Sequence, residues 1–189
     1  MNRLLPKKFF ERSAVEVAED LIGKYLVSKK YGKFLITETE AYEGIEDLAS
    51  HASKGRTKRT EVMFGEAGRF YVYLVYGMYE MLNVVTGPKG HPAAVLIRGA
   101  RKIEKLNEGK IEILRKRKES KLNGPGKLTK KLDINRSLNN LPAIPKTRLW
   151  FEESPLKINK KLIEKTPRIG VTYAGPLWSN KLWRFVYKV

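Results

Sequence analysis

Residues 70–79 read Phe, Tyr, Val, Tyr, Leu, Val, Tyr, Gly, Met, Tyr, and no other stretch leaves the backbone so little choice. Residues 70–76 are all of types that suit a pleated, half-buried surface. Successive strand side chains point to opposite faces, so Phe70, Val72 and Leu74 share one face and Tyr71, Tyr73 and Val75 the other. A second β-forming run follows over residues 80–86. Tyr76, Gly77, Met78 and Tyr79 between the two predict a hairpin with an aromatic tip. Tyrosines usually fill cores or sheet faces. Aromatics at a hairpin tip have less to pack on within their own domain, and an exposed one points to a partner surface. A side chain pushed between DNA base steps is one such use.

The segment before this hairpin builds a sheet for it to join. Ser13, Ala14, Val15 and Glu16 form a capping box. Ala14, Val17, Ala18, Leu21 and Ile22 behind it fall at helical spacing, and Gly23 ends the helix. Residues 25–28 and 34–37 are β-rich runs joined by a Lys- and Gly-containing turn, which predicts another hairpin. Its second strand delivers Glu38 and Glu40. Unbroken alternation puts both on one face with Ile36, and Thr37, Thr39 and Ala41 on the other. A carboxylate on the core side of a strand is costly unless paired, solvated or functional. Exposed glutamates at a strand end are the equally weighted alternative.

The chain has 189 residues, 42% of them hydrophobic. One domain over residues 1–189, with a real core, is the expectation. The net charge is +18, and the pI near 10.0. That excess favours a polyanionic partner, nucleic acid before an acidic membrane. A Lys-rich surface of thermophile type accounts for abundant charge, but not for its imbalance. With no Cys, disulfides, thiolate zinc sites and thiol nucleophiles are excluded. Two histidines, His51 and His91, are too few for a multi-histidine metal site. No cofactor is implied. The N-terminus carries Pro and Lys before any long apolar run, and no stretch is long enough to span a membrane. A soluble, intracellular protein is expected.

Residues 43–69 lack periodicity. They contain Lys54, Arg56, Thr57, Lys58, Arg59 and Thr60, a mix suited to gripping phosphate oxygens or to a solvated loop. Residues 93–98 are a short apolar strand ending in Arg98, a candidate partner for a carboxylate or phosphate. Residues 101–121 are charge-dense, and Ile103, Leu106, Ile111, Ile113 and Leu114 among them predict an amphipathic helix carrying a basic block at 115–118. Residues 123–127 form a Gly/Pro turn, with Lys127, whose backbone amides and following helix start suit a phosphate or merely punctuate a loop. Residues 149–151, Ile158, 168–173 and 183–187 read as further strands.

A strand-end carboxylate, an arginine, a lone histidine, several tyrosines and no metal set suit general-base activation of water and stacking of a flat substrate. With a basic surface and an aromatic hairpin tip, the economical reading is a base-flipping enzyme. The residues Glu38, Thr39, Glu40, Ala41 and Tyr42, then His51, then Tyr71 to Tyr79 with Tyr, Gly, Met, Tyr at the turn, Asn83 and Val95 to Arg98 also carry a resemblance. So do residues 124–128 and 168–175. Together they resemble the alkyladenine (3-methyladenine) DNA glycosylase family from about the first helix to the C-terminus. The acidic motif and the aromatic turn are specific as a pair.

The resemblance implies a mixed α/β (α+β) fold: one compact domain, a curved antiparallel sheet flanked by helices, and a projecting β-hairpin that inserts into DNA. It implies a monofunctional glycosylase of base-excision repair. This would flip alkylated purines (3-methyladenine, with 7-methylguanine, hypoxanthine and etheno-adenine as further candidates) out of double-stranded DNA and hydrolyse the N-glycosidic bond. Glu40 would be the general base. Arg98 and the Ile169 carbonyl would help to hold the water. Tyr42, His51 and Tyr73 would stack the base, with the His51 amide on the purine edge and Asn83 discriminating against guanine. Tyr76 would fill the vacated space. Phosphate contacts are expected from Arg56, Thr57, Arg59 and Lys127, and a monomer is expected, cytoplasmic in a prokaryote or nuclear in a eukaryote. The chain departs from the family pattern in a shorter segment between His51 and Met63, in Gly99 to Lys102 after Arg98, and in its basic residues 101–121. The alternatives are a bifunctional glycosylase/lyase with a lysine nucleophile, and a basic nucleic-acid-binding protein without catalysis.

Overall fold

Two long neighbouring strands position everything else. The structure, a computed structural model, describes residues 3–105, 111–113, 121–156 and 158–188. A single helical turn, α1 (Lys7–Phe10), leads to helix α2 (Ala14–Leu21). The Ser13 hydroxyl accepts the Glu16 N–H at 3.3 Å and donates to the Glu16 carboxylate at 2.8 Å, closing the capping box through side chains. Ala14, Val17, Ala18 and Leu21 form the buried stripe of α2. That stripe lies on the sheet, where the Thr39 hydroxyl donates to the Ala18 carbonyl at 2.8 Å. Gly23 turns the chain away with φ 83°, and a Cβ there would stand 2.2 Å from the Ile158 side chain.

Strands β1 (Tyr25–Ser28) and β2 (Gly32–Glu43) form the first hairpin, and β3 (Phe70–Val75) and β4 (Tyr79–Val85) the second. β5 (Ala93–Lys105) lies between β4 and β2, and β6 (Ile111–Ile113) and β7 (Lys121–Asn123) pair with it. Helix α3 (Pro125–Lys131), β8 (Leu149–Glu152), β9 (Ile163–Thr166), the short α4 (Gly175–Ser179) and β10 (Arg184–Tyr187) complete the chain. Among the described residues the strands join in one antiparallel sheet along the path β3-β4-β5-β2-β1-β8, curled into half a barrel with few helices. The main core sits between α2 and the sheet, with Phe10, Phe34, Phe70, Phe151 and Phe185 at its centre.

β2 and β5 each change partner halfway along. β2 pairs first with β1 and then, at residues 38–40, with β10. β5 pairs with β4 at residues 94–96 and with β7 at residues 99–101. Where the partners change, the β2–β5 register slips: Ile36 faces Ala100, Glu38 faces Gly99, and Thr39 faces Ile97, leaving Thr37 and Arg98 unpaired. These are bulges, and one extra residue flips the facing of all that follows. The expected sharing of a face by Ile36, Glu38 and Glu40 is therefore wrong. Ile36 joins Phe34 and Ala41 in the core beneath α2, while Glu38 and Glu40 point to the other side. They are also not surface charges: both are buried, Glu40 completely.

Two other expectations need correction. No helix spans residues 101–121, because residues 101–105, 111–113 and 121–123 are strands; the basic block at 115–118 lies outside the described residues. The isoleucines there belong to edge pairing on β5, and Ile103 packs with Tyr25, Val27 and Leu35. β-branched residues with a partner strand to hand override a loose helical period. Ile158 and residues 168–173 are not strands either. Pro167 ends β9, Gly170 takes φ 77°, and the chain continues into a 3-10 turn at Thr172–Ala174. The irregular segment 43–69 contains two 3-10 turns, His51–Lys54 and Glu61–Phe64.

Candidate active site

The paired bulges bring Glu38, Glu40 and Arg98 together. Arg98, freed from the ladder, donates through Nε to Glu38 Oε1 at 3.0 Å and through Nη1 to Glu40 Oε2 at 3.3 Å. Glu40 is wholly buried. Besides Arg98 it accepts the Tyr42 hydroxyl at 2.9 Å and, on its other oxygen, the Ile169 backbone N–H at 2.8 Å. Burial pushes its pKa above the ordinary carboxylate value. Arg98, the Ile169 amide and Tyr42 oppose this, and neighbouring Glu38 adds to it. A buried carboxylate with both oxygens engaged and a raised proton affinity is a group prepared to take a proton.

In front of this carboxylate lies a cleft of about 470 Å³. Tyr42, His51, Tyr71, Tyr73, Asn83, Arg98 and Ile169 line it, with Tyr76 at its rim. Alternation on β3 supplies Tyr71 and Tyr73, as the sequence predicts. His51 meets Tyr73 edge-on at 4.7 Å between centroids, and its Nδ1 lies 3.1 Å from the Tyr71 hydroxyl. Burial, with help from Arg59 and Lys54, pulls the His51 pKa down to about 4, so the ring is neutral at physiological pH. Burial likewise pushes the Tyr71 hydroxyl up to about 12. Asn83 is buried and gives its amide N–H groups to the Tyr71 and Met81 carbonyls at 3.0 and 3.3 Å. What it has left to offer is an acceptor oxygen.

The hairpin tip carries Tyr76, 89% exposed, with φ 51°. Gly77 follows at φ 69°, and the Met78 N–H closes the turn on the Val75 carbonyl at 3.1 Å. Such turns need two left-handed residues, and a tyrosine accepts that backbone only at a cost. Behind the hairpin, α3 comes so close that a Cβ on Gly126 would stand 2.9 Å from the Tyr79 ring.

The residues expected to grip phosphates differ in their surroundings. Arg56 is exposed, 3.3 Å from Glu61 and close to the Phe64 ring. Thr57 is engaged in a knot with Thr60, their hydroxyls 3.1 Å apart. Arg59 lines the cleft with its guanidinium 4.8 Å from the Tyr73 ring centroid. Lys127 stands exposed on α3. At Ile169 it is the amide, not the carbonyl, whose contact with Glu40 is defined.

Two groups that the sequence did not single out support the site. Arg168 and Asp47, both with fully buried side chains, form a two-pronged pair at 2.6 and 2.8 Å. Arg168 also donates to the Ala41 and Trp178 carbonyls and sits between the Tyr42 and Trp183 rings. It thus fixes Tyr42 and the adjoining Ile169 from behind. Arg184 on β10 donates to the same Glu38 oxygen as Arg98, at 2.8 Å. Asp47 and Arg168 are 121 residues apart in the chain, so no local pattern pairs them. The nearest signal was an arginine followed at once by an apolar residue and glycine.

A buried carboxylate behind an aromatic cleft, on a curled antiparallel sheet with an exposed aromatic turn beside it, is the arrangement of an enzyme site able to take an aromatic group beside an acid–base residue. Comparison with known proteins narrows the class. The profile of the family described as methylpurine-DNA glycosylase (MPG) matches residues 8–189. A relative from Rickettsia felis is 46% identical over 189 residues, covering 98% of this chain and 95% of its own. One from Methanocella arvoryzae is 46% identical over 191 residues, with 98% and 92% covered. One from Ehrlichia ruminantium is 42% identical over 186 residues, with 98% and 90% covered. All three bear the name "Putative 3-methyladenine DNA glycosylase". The chain belongs to the methylpurine-DNA glycosylase family; it is an N-glycosylase, a hydrolase of base-excision repair.

Proposed function

We propose that this protein removes alkylated purines, 3-methyladenine first, from double-stranded DNA by flipping the nucleotide into the cleft and hydrolysing its glycosidic bond with water activated by Glu40. The observation that carries the reading is the fully buried Glu40 carboxylate, held by three donors, directly behind an aromatic cleft. In the reaction the C1′–N bond breaks with its electron pair passing to the base. A purine alkylated at N3 or N7, such as 3-methyladenine, is cationic and therefore leaves neutral; hypoxanthine and etheno-adenine are neutral in DNA and must take a proton from solvent on the ring to leave neutral. Water attacks the oxocarbenium-like sugar, and its proton goes to Glu40. Arg98 keeps Glu40 oriented; the Ile169 carbonyl is assigned to the water.

Tyr42, His51 and Tyr73 stack the base, and the His51 amide meets its edge. Asn83 sits at the purine 2-position and disfavours guanine, whose neutral base also leaves less readily than the cationic 7-methylguanine. Tyr76 occupies the space left in the duplex. 7-Methylguanine, hypoxanthine and etheno-adenine are further candidate substrates. Arg56, Thr57, Arg59 and Lys127 are assigned to phosphates, with Arg59 also close enough to Tyr73 to act on the base. The protein works as a monomeric single domain over residues 1–189, in the cytoplasm of a prokaryote like its relatives. Among the described residues no helix is long and apolar enough to cross a membrane.

Among the described residues no lysine lines the cleft, which favours hydrolysis by water over attack by a lysine. Borohydride should therefore trap no protein–DNA adduct. The direct test is release of free base from a panel of lesion-bearing duplexes, comparing the parent with Glu40→Gln. Loss of release with binding retained supports the assignment; equal release refutes it. Activity should persist in chelator, since a chain without Cys and with two histidines offers few soft metal ligands.

A further inference from the structure

Glu40 is held in part by Arg98, and Arg98 is itself held by something else. We infer that Arg184 is a positioning residue for the reaction: by sharing the Glu38 carboxylate with Arg98, it keeps Arg98 directed at Glu40. The inference rests on the role proposed for Glu40. In the sheet Arg184 stands directly across from Glu40, so the two project on the same face. Arg184 is not among the residues lining the cleft, and its side-chain partners among the described residues are Glu38 and Thr166. Its Nε donates to Glu38 Oε1 at 2.8 Å, and Arg98 Nε donates to the same oxygen at 3.0 Å. Its Nη1 is fixed on the Thr166 hydroxyl at 3.1 Å.

Two carboxylates and two guanidiniums thus alternate across three strands. Removing Arg184 leaves Glu38, among the described residues, with Arg98 as its sole paired cation. Arg98 would then swing toward Glu38, loosening the longer of its two contacts, the 3.3 Å one to Glu40. Glu38 would also press on Glu40 with less of its charge balanced. Both effects favour the protonated form of Glu40. The other groups around it stay as they are: Tyr42 beside it on β2, the Ile169 amide, Tyr73 on β3, and Arg168 behind Tyr42.

The test follows the Glu40 carboxyl by carbon NMR through a pH titration of the free protein. In parallel, single-turnover release of 3-methyladenine from a methylated duplex is measured against pH. For Arg184→Leu the Glu40 midpoint and the acid limb of the rate should both rise by about one pH unit, a typical effect of an altered charge neighbour. Arg184→Lys should shift them less, since it keeps the charge but not the fork. Adding Glu38→Gln to Arg184→Leu should bring the midpoint back, because the unbalanced carboxylate is gone. A folded Arg184→Leu with an unmoved midpoint overturns the inference, as does a double variant that stays shifted. Should Arg184→Leu not fold, Arg184→Lys with and without Glu38→Gln decides by the same criteria. If the parent releases no base from any duplex, the glycosylase reading fails, and the NMR midpoints still judge Arg184.

Discussion

The floor of the cleft and the hairpin at its rim are built on opposite terms. Glu40 has no exposed surface and accepts from three donors on different elements of the fold. Tyr76 is 89% exposed and has a backbone conformation that tyrosines rarely adopt. A buried charge is tolerable only when its surroundings leave it no alternative geometry. An exposed aromatic on a left-handed turn is tolerable because two short strands hold the turn. The difference suits the two tasks proposed for them. Taking a proton from the attacking water needs a group fixed to a fraction of an ångström, which a packed interior supplies. The proposed entry into a base stack needs a side chain that its own fold leaves uncovered.

Replacing Glu40 by Gln is the largest test of that separation. Single-turnover release should fall about a thousandfold, within the range for loss of a general base, while duplex binding in a gel or anisotropy assay stays nearly the same. Stability should change little. Burial raises the pKa of Glu40 in the folded state, so Gln removes a penalty on the ionised form above the unfolded value, while turning an amide N–H toward one of the donors that Glu40 accepts from offsets that gain. A clear drop in stability would mean that the carboxylate is structural.

Asp47→Ala should do the reverse. It strands the Arg168 guanidinium in the interior, and breaking a buried pair costs about 3–5 kcal/mol. The urea midpoint reads this directly. An Asp47→Ala protein as stable as the parent would show that the floor is not held from behind by this pair.

Tyr76→Ser probes the rim. Release from duplex DNA should fall roughly 10- to 100-fold, equivalent to about 1.4–2.7 kcal/mol, with stability unchanged within about 0.5 kcal/mol. On the same lesion in a single strand, where no gap needs filling, the loss should shrink. Equal losses on both substrates would place Tyr76 in the pocket instead.

The effect confined to the narrowest range of conditions concerns His51. Its pKa is about 4 in the folded protein against an ordinary value of 6.5. Between these values the unfolded chain binds more protons, so stability falls as pH drops from about 6.5 toward 4 and is complete above. His51→Phe should flatten that part of the stability–pH curve and leave the rest alone.

The hairpins, the α2 cap and the facing of the tyrosines were all readable, because each depends on neighbours a few residues apart. Tyr71 and Tyr73 alternate without interruption, so their shared face follows from the pleat. Glu38 and Glu40 do not follow from the pleat alone: the bulge at Thr37 reverses the alternation, and nothing in Ile36, Thr37 and Glu38 announces it. The helix expected over residues 101–121 failed for a related reason. Ile103 lies on β5 and Ile111 and Ile113 on the strand paired with it, and strand partners are not visible in a local window.

By itself the sequence determined that this chain builds aromatic hairpins, carries a large positive charge and lacks thiol chemistry, since these depend on composition and short-range geometry. Tertiary structure alone decided that Glu40 is buried, that Arg98 leaves the ladder to reach it, and that Asp47 and Arg168 meet behind Tyr42. Those facts depend on which distant strands lie side by side and where their registers slip. That is set by the packing of the whole core, and no short stretch of the chain contains it.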